Sequence, residues 1–402
     1  MRYKNYSIGE ILEKKDKGVN TPEMTALYKE VEMYKAVMER RVSECVKTIN
    51  SIKPNNVMRW IQENAPLDIK KYVYCAVQGK EVNVLMRSEK KWKTVADIGL
   101  DIEESGSVHE HIDEWFDYWN IQAETLAALN INVYESHAHY NLKNYNALRN
   151  RLLPMLHKAG IKQIVIPAVD FPTNSQAVKM FDASEYDYIK YAFGIHPKYI
   201  WKENLSNENW DSLISLFDNP KCVAIGETGL DYSYPEFDGS HRLMQMEMFR
   251  KFILMANQYC LPAVLHIRPS DDIMSNYKAD EDAWKILEEN RIQCGAILHC
   301  FGGSISVVEK YMSVGVKEFG IGGKILYGNE ALEKAVAYIP ETSIILETDS
   351  PYIKVDRGQI PNTSLSLLPI ARKVAELRGT TAEHILEISF KNAEIFFRKD
   401  RE

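Results

Sequence analysis

The stretch Ile131–Asn141, "INVYESHAHYN", marks where the chain changes character. An apolar, β-branched start reads as a strand, and residues i and i+2 of a strand face the same way, so His137 and His139 look together into whatever that strand lines. The pair alone fits either two metal ligands or an ordinary strand end. The pattern around it decides the fold. Downstream, short apolar runs alternate with amphipathic helical stretches: "QIVIPAV", "YAFGIHP", "CVAIGETG", "PAVLHIR", "GAILHC", "VKEFGIG" and "SIILETD". With the first run these make eight strand candidates, and eight βα units in about 270 residues predict a (β/α)8 TIM barrel of the α/β class.

In such a barrel the C-terminal strand ends converge on one mouth. Read at those ends, the sequence places His137 and His139 on the first strand, His196 on the third and Glu227 on the fourth. His266 follows on the fifth, His299 on the sixth and Asp349 on the eighth, so five of the ten histidines fall at strand ends. Each residue has a plain structural reading, such as a capping acid at Glu227 or a turn start at Asp349. All of them together do not. Imidazoles with two carboxylates are ligand chemistry for Zn²⁺ or Mn²⁺, and this set is richer than one ion needs. Arg268 lies two residues beyond His266, on the same strand face, where a guanidinium can grip a phosphate oxygen; pairing with an acid such as Asp271 is the alternative.

The chain before residue 131 reads differently. Thr21-Pro22-Glu23 starts a long amphipathic helix, residues 72–88 suit a hairpin, and residues 108–130 return to helix. His109 and His111, two apart on a helix, point different ways and read as surface residues. No catalytic constellation occurs here, so residues 1–130 are expected to form a mostly helical accessory domain and residues 131–402 the barrel.

The 402 residues, 45% hydrophobic and 26% charged, suit an ordinary globular protein. There is no run of 18 apolar residues, and the first residues lack the apolar core of a secretory signal. Six cysteines without a CxxC pair fit reduced thiols and a cytoplasmic protein, with Cys222 and Cys300 in strand-like runs. A net charge of −7 argues against bulk electrostatic coating of nucleic acid. It does not argue against a nuclease, whose bound cations supply local positive charge. The charge is uneven: residues 101–130 hold eight Asp/Glu and no Lys/Arg, whereas residues 1–100 carry 19 Lys/Arg against 13 Asp/Glu. A solvated mixed-charge face is the plain reading of that first segment; contact with a polyanion is the other.

"ESHAHYN", "GIHPKY", "AIGETGLDY", "VLHIRPS", "LHCFGG" and "ILETDSPY", with "HRLMQMEMF" before strand five, resemble in order and spacing the TatD-family metal-dependent deoxyribonucleases of the amidohydrolase superfamily. The resemblance covers about residues 131–398. It implies that His137, His139, Glu227 and Asp349 hold one divalent ion and that Glu227, His266 and His299 hold a second. Asp349 would also act on the attacking water, and His196 would contact substrate phosphate. Mg²⁺ or Mn²⁺ is expected in activity, with Zn²⁺ as an alternative occupant, and DNA trimmed from its 3′ end as substrate. The sequence departs from the family at Glu135 and Asn141, where the family has Asp. It also departs after strand five, where "IRPSDDIMSNYKADEDAW" stands, and in "RGQIPNT" with Arg357 and Asn362. Those departures keep open hydrolysis of a small amide, lactone or phosphoester on the same barrel. An added segment without catalytic residues keeps open a partner-docking role through residues 1–130.

Overall fold

A computed structural model of the chain describes residues 108–203, 205–233, 238–269, 278–355 and 361–398, with a few isolated positions near its start, among them a short antiparallel pair, Arg2–Tyr3 with Tyr6–Ser7. The expected helix from Thr21, the hairpin at 72–88, the side chains of His109 and His111, Asp271 and Arg357 lie outside the described residues. The chain divides into two compact units, Met1–Val108 and His109–Glu402.

All eight expected strands form. They are β1 (Val133–Glu135), β2 (Ile161–Pro167), β3 (Ile189–Phe193), β4 (Cys222–Asp231), β5 (Ala263–Arg268), β6 (Ala296–Leu298), β7 (Val316–Ile321) and β8 (Ile344–Leu346). Each pairs in parallel with the next in sequence order. Beyond the last named residues, β8 returns to β1. Asp349 N donates to His137 O at 2.9 Å and His139 N to Ser350 O at 2.7 Å, with a parallel bridge between Ala138 and Ser350, so the barrel is nearly closed. The seam runs through the site residues themselves.

Among the described residues, ten α-helices surround the sheet: α1 (Val108–Ala127), α2 (Arg149–Lys158), α3 (Phe171–Phe181), α4 (Asn207–Ser215) and α5 (Gly239–Gln258), then α6 (Ala279–Glu289), α7 (Ile305–Met312), α8 (Glu330–Tyr338), α9 (Leu367–Arg378) and α10 (Ala382–Phe396). Their ends are chemically specified. Asp170 and Thr173 form a capping box at α3, where Thr173 N donates to Asp170 Oδ1 at 2.8 Å, and Gly379 ends α9 with φ 65°. None of the helices among the described residues is long and apolar enough to cross a membrane.

The sequence reading set α1 with the accessory segment. In the fold, its buried stripe Phe116, Trp119, Ala123 and Leu126 joins the main hydrophobic core of the second unit. Spacings of three and four put these residues on one face. Arg151 of α2 holds the helix from outside, 2.6 Å from Asp113 and 4.0 Å above the Phe116 ring.

Two apolar clusters result. The larger lies between strands and helices. The smaller fills the barrel interior with Tyr134, Val165, Ala192, Val223, Ala224, Val264, Ile297 and Ile345, closed by Ala393, Phe396 and Phe397 at the end of α10. Phe397 stacks on Tyr134, ring centroids 5.7 Å apart. That interior is the floor on which the polar mouth rests.

Candidate metal centre

Glu227, on the fully buried strand β4, sits at the middle of the mouth. Five imidazoles approach its carboxylate. Oε2 lies 3.4 Å from His137 Nε2 and 3.8 Å from His139 Nε2. Oε1 lies 2.6 Å from His266 Nδ1 and 3.6 Å from both His196 Nε2 and His299 Nε2. Asp349 closes one side, its Oδ1 3.4 Å from His139 Nε2 and 3.8 Å from His137 Nε2. Ligand atoms of His137, His139 and Asp349 converge closely enough for one ion, as do those of His137, Glu227 and His299 and of His196, Glu227 and His266.

Outward contacts of each ring determine what it offers inward. A carbonyl only accepts, so His139 Nδ1, 3.2 Å from Pro167 O, carries the proton and leaves Nε2 with a lone pair. His299 Nδ1 faces the Glu347 carboxylate at 3.0 Å, which likewise leaves Nε2 free toward the centre. His266 is turned the other way round: Nε2 meets Asp231 Oδ2 at 3.0 Å, and Nδ1 looks inward. Both ring nitrogens of buried His137 lack a hydrogen-bond partner, and Nε2 faces the carboxylates of Glu227 at 3.4 Å and Asp349 at 3.8 Å. His196 differs. Its Nδ1 accepts from Lys198 N at 3.0 Å, so the proton of the neutral ring stands on Nε2, aimed at the centre. Four imidazoles turn toward the carboxylates a ring nitrogen that a divalent cation could take in place of a proton, and His196 turns an N–H there, which fits cation binding beside an anionic substrate oxygen.

Charge follows the same division. Burial alone raises the Glu227 carboxyl, but His196, His299 and His137 hold it well below the usual range. Burial lowers His266, yet Asp231 and Glu227 push it up to about 9. Burial and then the neighbouring His266 drive His196 down to about 3. A pocket that gathers Glu227, Asp231, Glu347 and Asp349 needs cations to balance it, whether protons or metal.

Supporting groups reach further back. Gln245 of α5 accepts from Asp231 N at 2.8 Å and donates to Asp231 O at 2.9 Å, fixing the carboxylate that orients His266. Glu347 also accepts from Cys300 N at 2.6 Å, and a side chain at Gly320 would collide with its carboxylate. Gly229, φ 144°, lies flush against the His266 carbonyl, so any side chain there would displace β5. Glu135 touches the backbone of His137 (3.2 Å) and of Thr348 (3.0 Å), with Thr348 Oγ1 at 2.6 Å, and burial pushes its carboxyl up to about 8. It ties β1 to β8. Asn141 is buried and its amide has no hydrogen-bond partner.

Strand-end reading brought His137, His139, His196, Glu227, His266, His299 and Asp349 together. It passed over Asp231 and Glu347, although both carry a signal: Asp231 is four residues beyond Glu227 and Glu347 two before Asp349, even spacings that share a face. Arg268 is exposed at the end of β5, its carbonyl accepting from Tyr232 N at 3.0 Å. Asn362 is buried and donates to the carbonyls of Thr348 (3.0 Å), Tyr352 (2.7 Å) and Ile353 (3.3 Å), bracing the segment after β8. Cys300 lies just past β6 rather than within it, with φ 51°.

Comparison with known proteins agrees with this geometry. The family profile described as TatD related DNase matches residues 134–398. The uncharacterized metal-dependent hydrolase YabD of Bacillus subtilis is 32% identical over 270 residues, which is 66% of this chain and 99% of that protein. Crystal structures share the fold. That of the TatD homolog YjjV from Escherichia coli K12 has a TM-score of 0.57 at 24% identity, covering 66% of this chain and 97% of its own. That of a TatD family hydrolase from Entamoeba histolytica has 0.56 at 19%, covering 66% and 98%. With a nearly closed eight-stranded barrel, a cluster able to hold divalent ions at its mouth and a family match over most of its length, the chain belongs to the TatD related DNase family, as a metal-dependent hydrolase.

Proposed function

We propose that this centre hydrolyses DNA phosphodiesters, removing nucleotides from a 3′ end, with divalent cations that Glu227 and the residues around it would hold. The observation that carries the reading is the division of the Glu227 carboxylate, one oxygen toward His137 and His139 and the other toward His196, His266 and His299. His137, His139, Glu227 and Asp349 would hold one ion; Glu227, His266 and His299 would hold the other. When bound, Mg²⁺ or Mn²⁺ (or Zn²⁺) supplies Lewis acidity for the phosphoryl oxygens and lowers the pKa of water.

The chain's own groups do the rest. Asp349 accepts the proton of the attacking water. Burial raises its carboxyl, but His139, His299 and His137 bring it below the usual range, so it is ionised and ready. Its backbone, at φ 53°, is held from both sides, by Asp349 N to His137 O at 2.9 Å and by Tyr352 N to Asp349 O at 2.7 Å. His196 donates a hydrogen bond from its Nε2–H to a nonbridging phosphate oxygen, and burial keeps the ring a neutral donor. Arg268, on the exposed lip, grips the next phosphate along the strand.

Degradation of a 3′-labelled single-stranded DNA with Mg²⁺ or Mn²⁺, beside a His137→Ala/His139→Ala double variant, tests this. Cleavage that disappears in the variant supports it. Metal binding without cleavage overturns the DNA assignment and directs the search to small amides, lactones and phosphoesters.

A further inference from the structure

We infer that Tyr352, with Tyr199 beside His196, is a platform that receives an unstacked nucleobase, which makes the substrate a single-stranded or frayed nucleic-acid end. This rests on the nuclease reading and narrows it.

Tyr352 follows the eighth strand by six residues and is 52% exposed, although its ring lies 5.7 Å from that of His139. Single exposed aromatics are common on protein surfaces. This one stands beside a candidate metal ligand, and packing leaves about half of its surface open. Tyr199 stands 6.1 Å from the His196 ring. His139 approaches Glu227 Oε2 and His196 approaches Oε1, so each tyrosine stands beside an imidazole that meets the central carboxylate.

The Tyr352 segment is fixed in place. Its amide donates to Asp349 O at 2.7 Å, and its carbonyl accepts from Asn362 Nδ2 at 2.7 Å. Ile353, at φ 46°, accepts from the same amide, and its carbonyl would lie 2.6 Å from a Cβ at Gly323. A platform held this way loses little conformational freedom when a ligand stacks on it.

Charge makes the platform useful. The chain carries a net −7, and its mouth gathers carboxylates, so long-range attraction for a polyanion is weak. Base stacking on an aromatic side chain is tolerant of sequence and does not need positive charge. It requires a base out of its duplex stack, and a small aliphatic ester would leave the platform unused.

The test is the affinity of the full-length, metal-loaded protein for a dye-labelled oligothymidylate with phosphorothioate linkages, read by anisotropy. The strand is either intact or abasic at its last two 3′ nucleotides. Intact strand is expected to bind at least about fivefold more tightly, from the loss of one stacked base. That ratio should fall to near one in Tyr352→Ala and Tyr352→Leu and persist in Tyr352→Phe, with thermal melting confirming that each variant is folded. A wild-type ratio near one overturns the platform, as does a ratio kept in both ring-less variants. Cleavage of the unmodified strand is scored in parallel. Discrimination without cleavage removes the nuclease reading and keeps the platform; cleavage without discrimination does the reverse.

Discussion

The barrel interior has two layers built on the same strands. The lower holds Tyr134, Val165, Ala192, Val264, Ile297 and Ile345 against Phe396 and Phe397; the upper holds His137, His139, Glu227, His266, His299 and Asp349. Both are buried, with Ile345 at 0% exposure and Glu227 at 2%. Yet the first is favoured by leaving water and the second costs free energy unless its charges are compensated. The lower layer therefore stabilises the fold, and the upper is retained for what it binds. Four residues of β1 and its extension suffice to pass from Tyr134, stacked on Phe397, to His137, facing Glu227.

Substitutions can separate the two layers. Glu227→Gln should abolish the shared carboxylate and cut hydrolysis by roughly a thousandfold or more, several kcal/mol of transition-state stabilisation, while circular dichroism stays unchanged. If the protein instead unfolds, the upper layer contributes to stability after all. Phe397→Ala is expected to do the opposite: a loss of about 3–5 kcal/mol in chemical denaturation, with bound metal per chain unchanged by elemental analysis. Loss of metal in that variant would mean that the layers are coupled. Glu347→Gln leaves the ligands in place but weakens the grip on His299 Nδ1; metal affinity, read by competition with a chelator, should drop about 10–100-fold. The smallest effect belongs outside both layers. Arg151→Ala removes an exposed pair with Asp113 and a cation over Phe116, and should lower stability by about 0.5–1 kcal/mol with metal binding and catalysis intact.

The upper layer was the more legible of the two in the sequence. A histidine after an apolar run, as in "AVLHIR" or "AILHC", breaks the pattern at one point, and five such breaks at strand ends define a ring. The lower layer was readable only as apolar periodicity, because Val165 and Val264 look like any other strand valine. The choice of Phe396 and Phe397 to close the interior came from no local signal. Those residues follow an ordinary amphipathic helix, and only its docking against β1 and β8 turns them inward. Helix α1 was assigned in sequence to the segment before the barrel, because no catalytic constellation occurs there and the strand-like runs begin at residue 131. Its Phe116 and Trp119 stripe is buried in the main core of the second unit.

Strand number, strand order and the side-chain types at the mouth follow from the sequence, because alternation with period two and the placement of apolar runs are properties of short segments. Tertiary structure alone decided which nitrogen of each imidazole faces the centre. That depends on Pro167 for His139, Lys198 for His196, Asp231 for His266 and Glu347 for His299. Most of these partners lie on other strands, tens of residues away, and the stagger between neighbouring strands brings them level. A hydrogen bond is set within a few tenths of an ångström, a precision that the closed barrel supplies and a local pattern of residues does not.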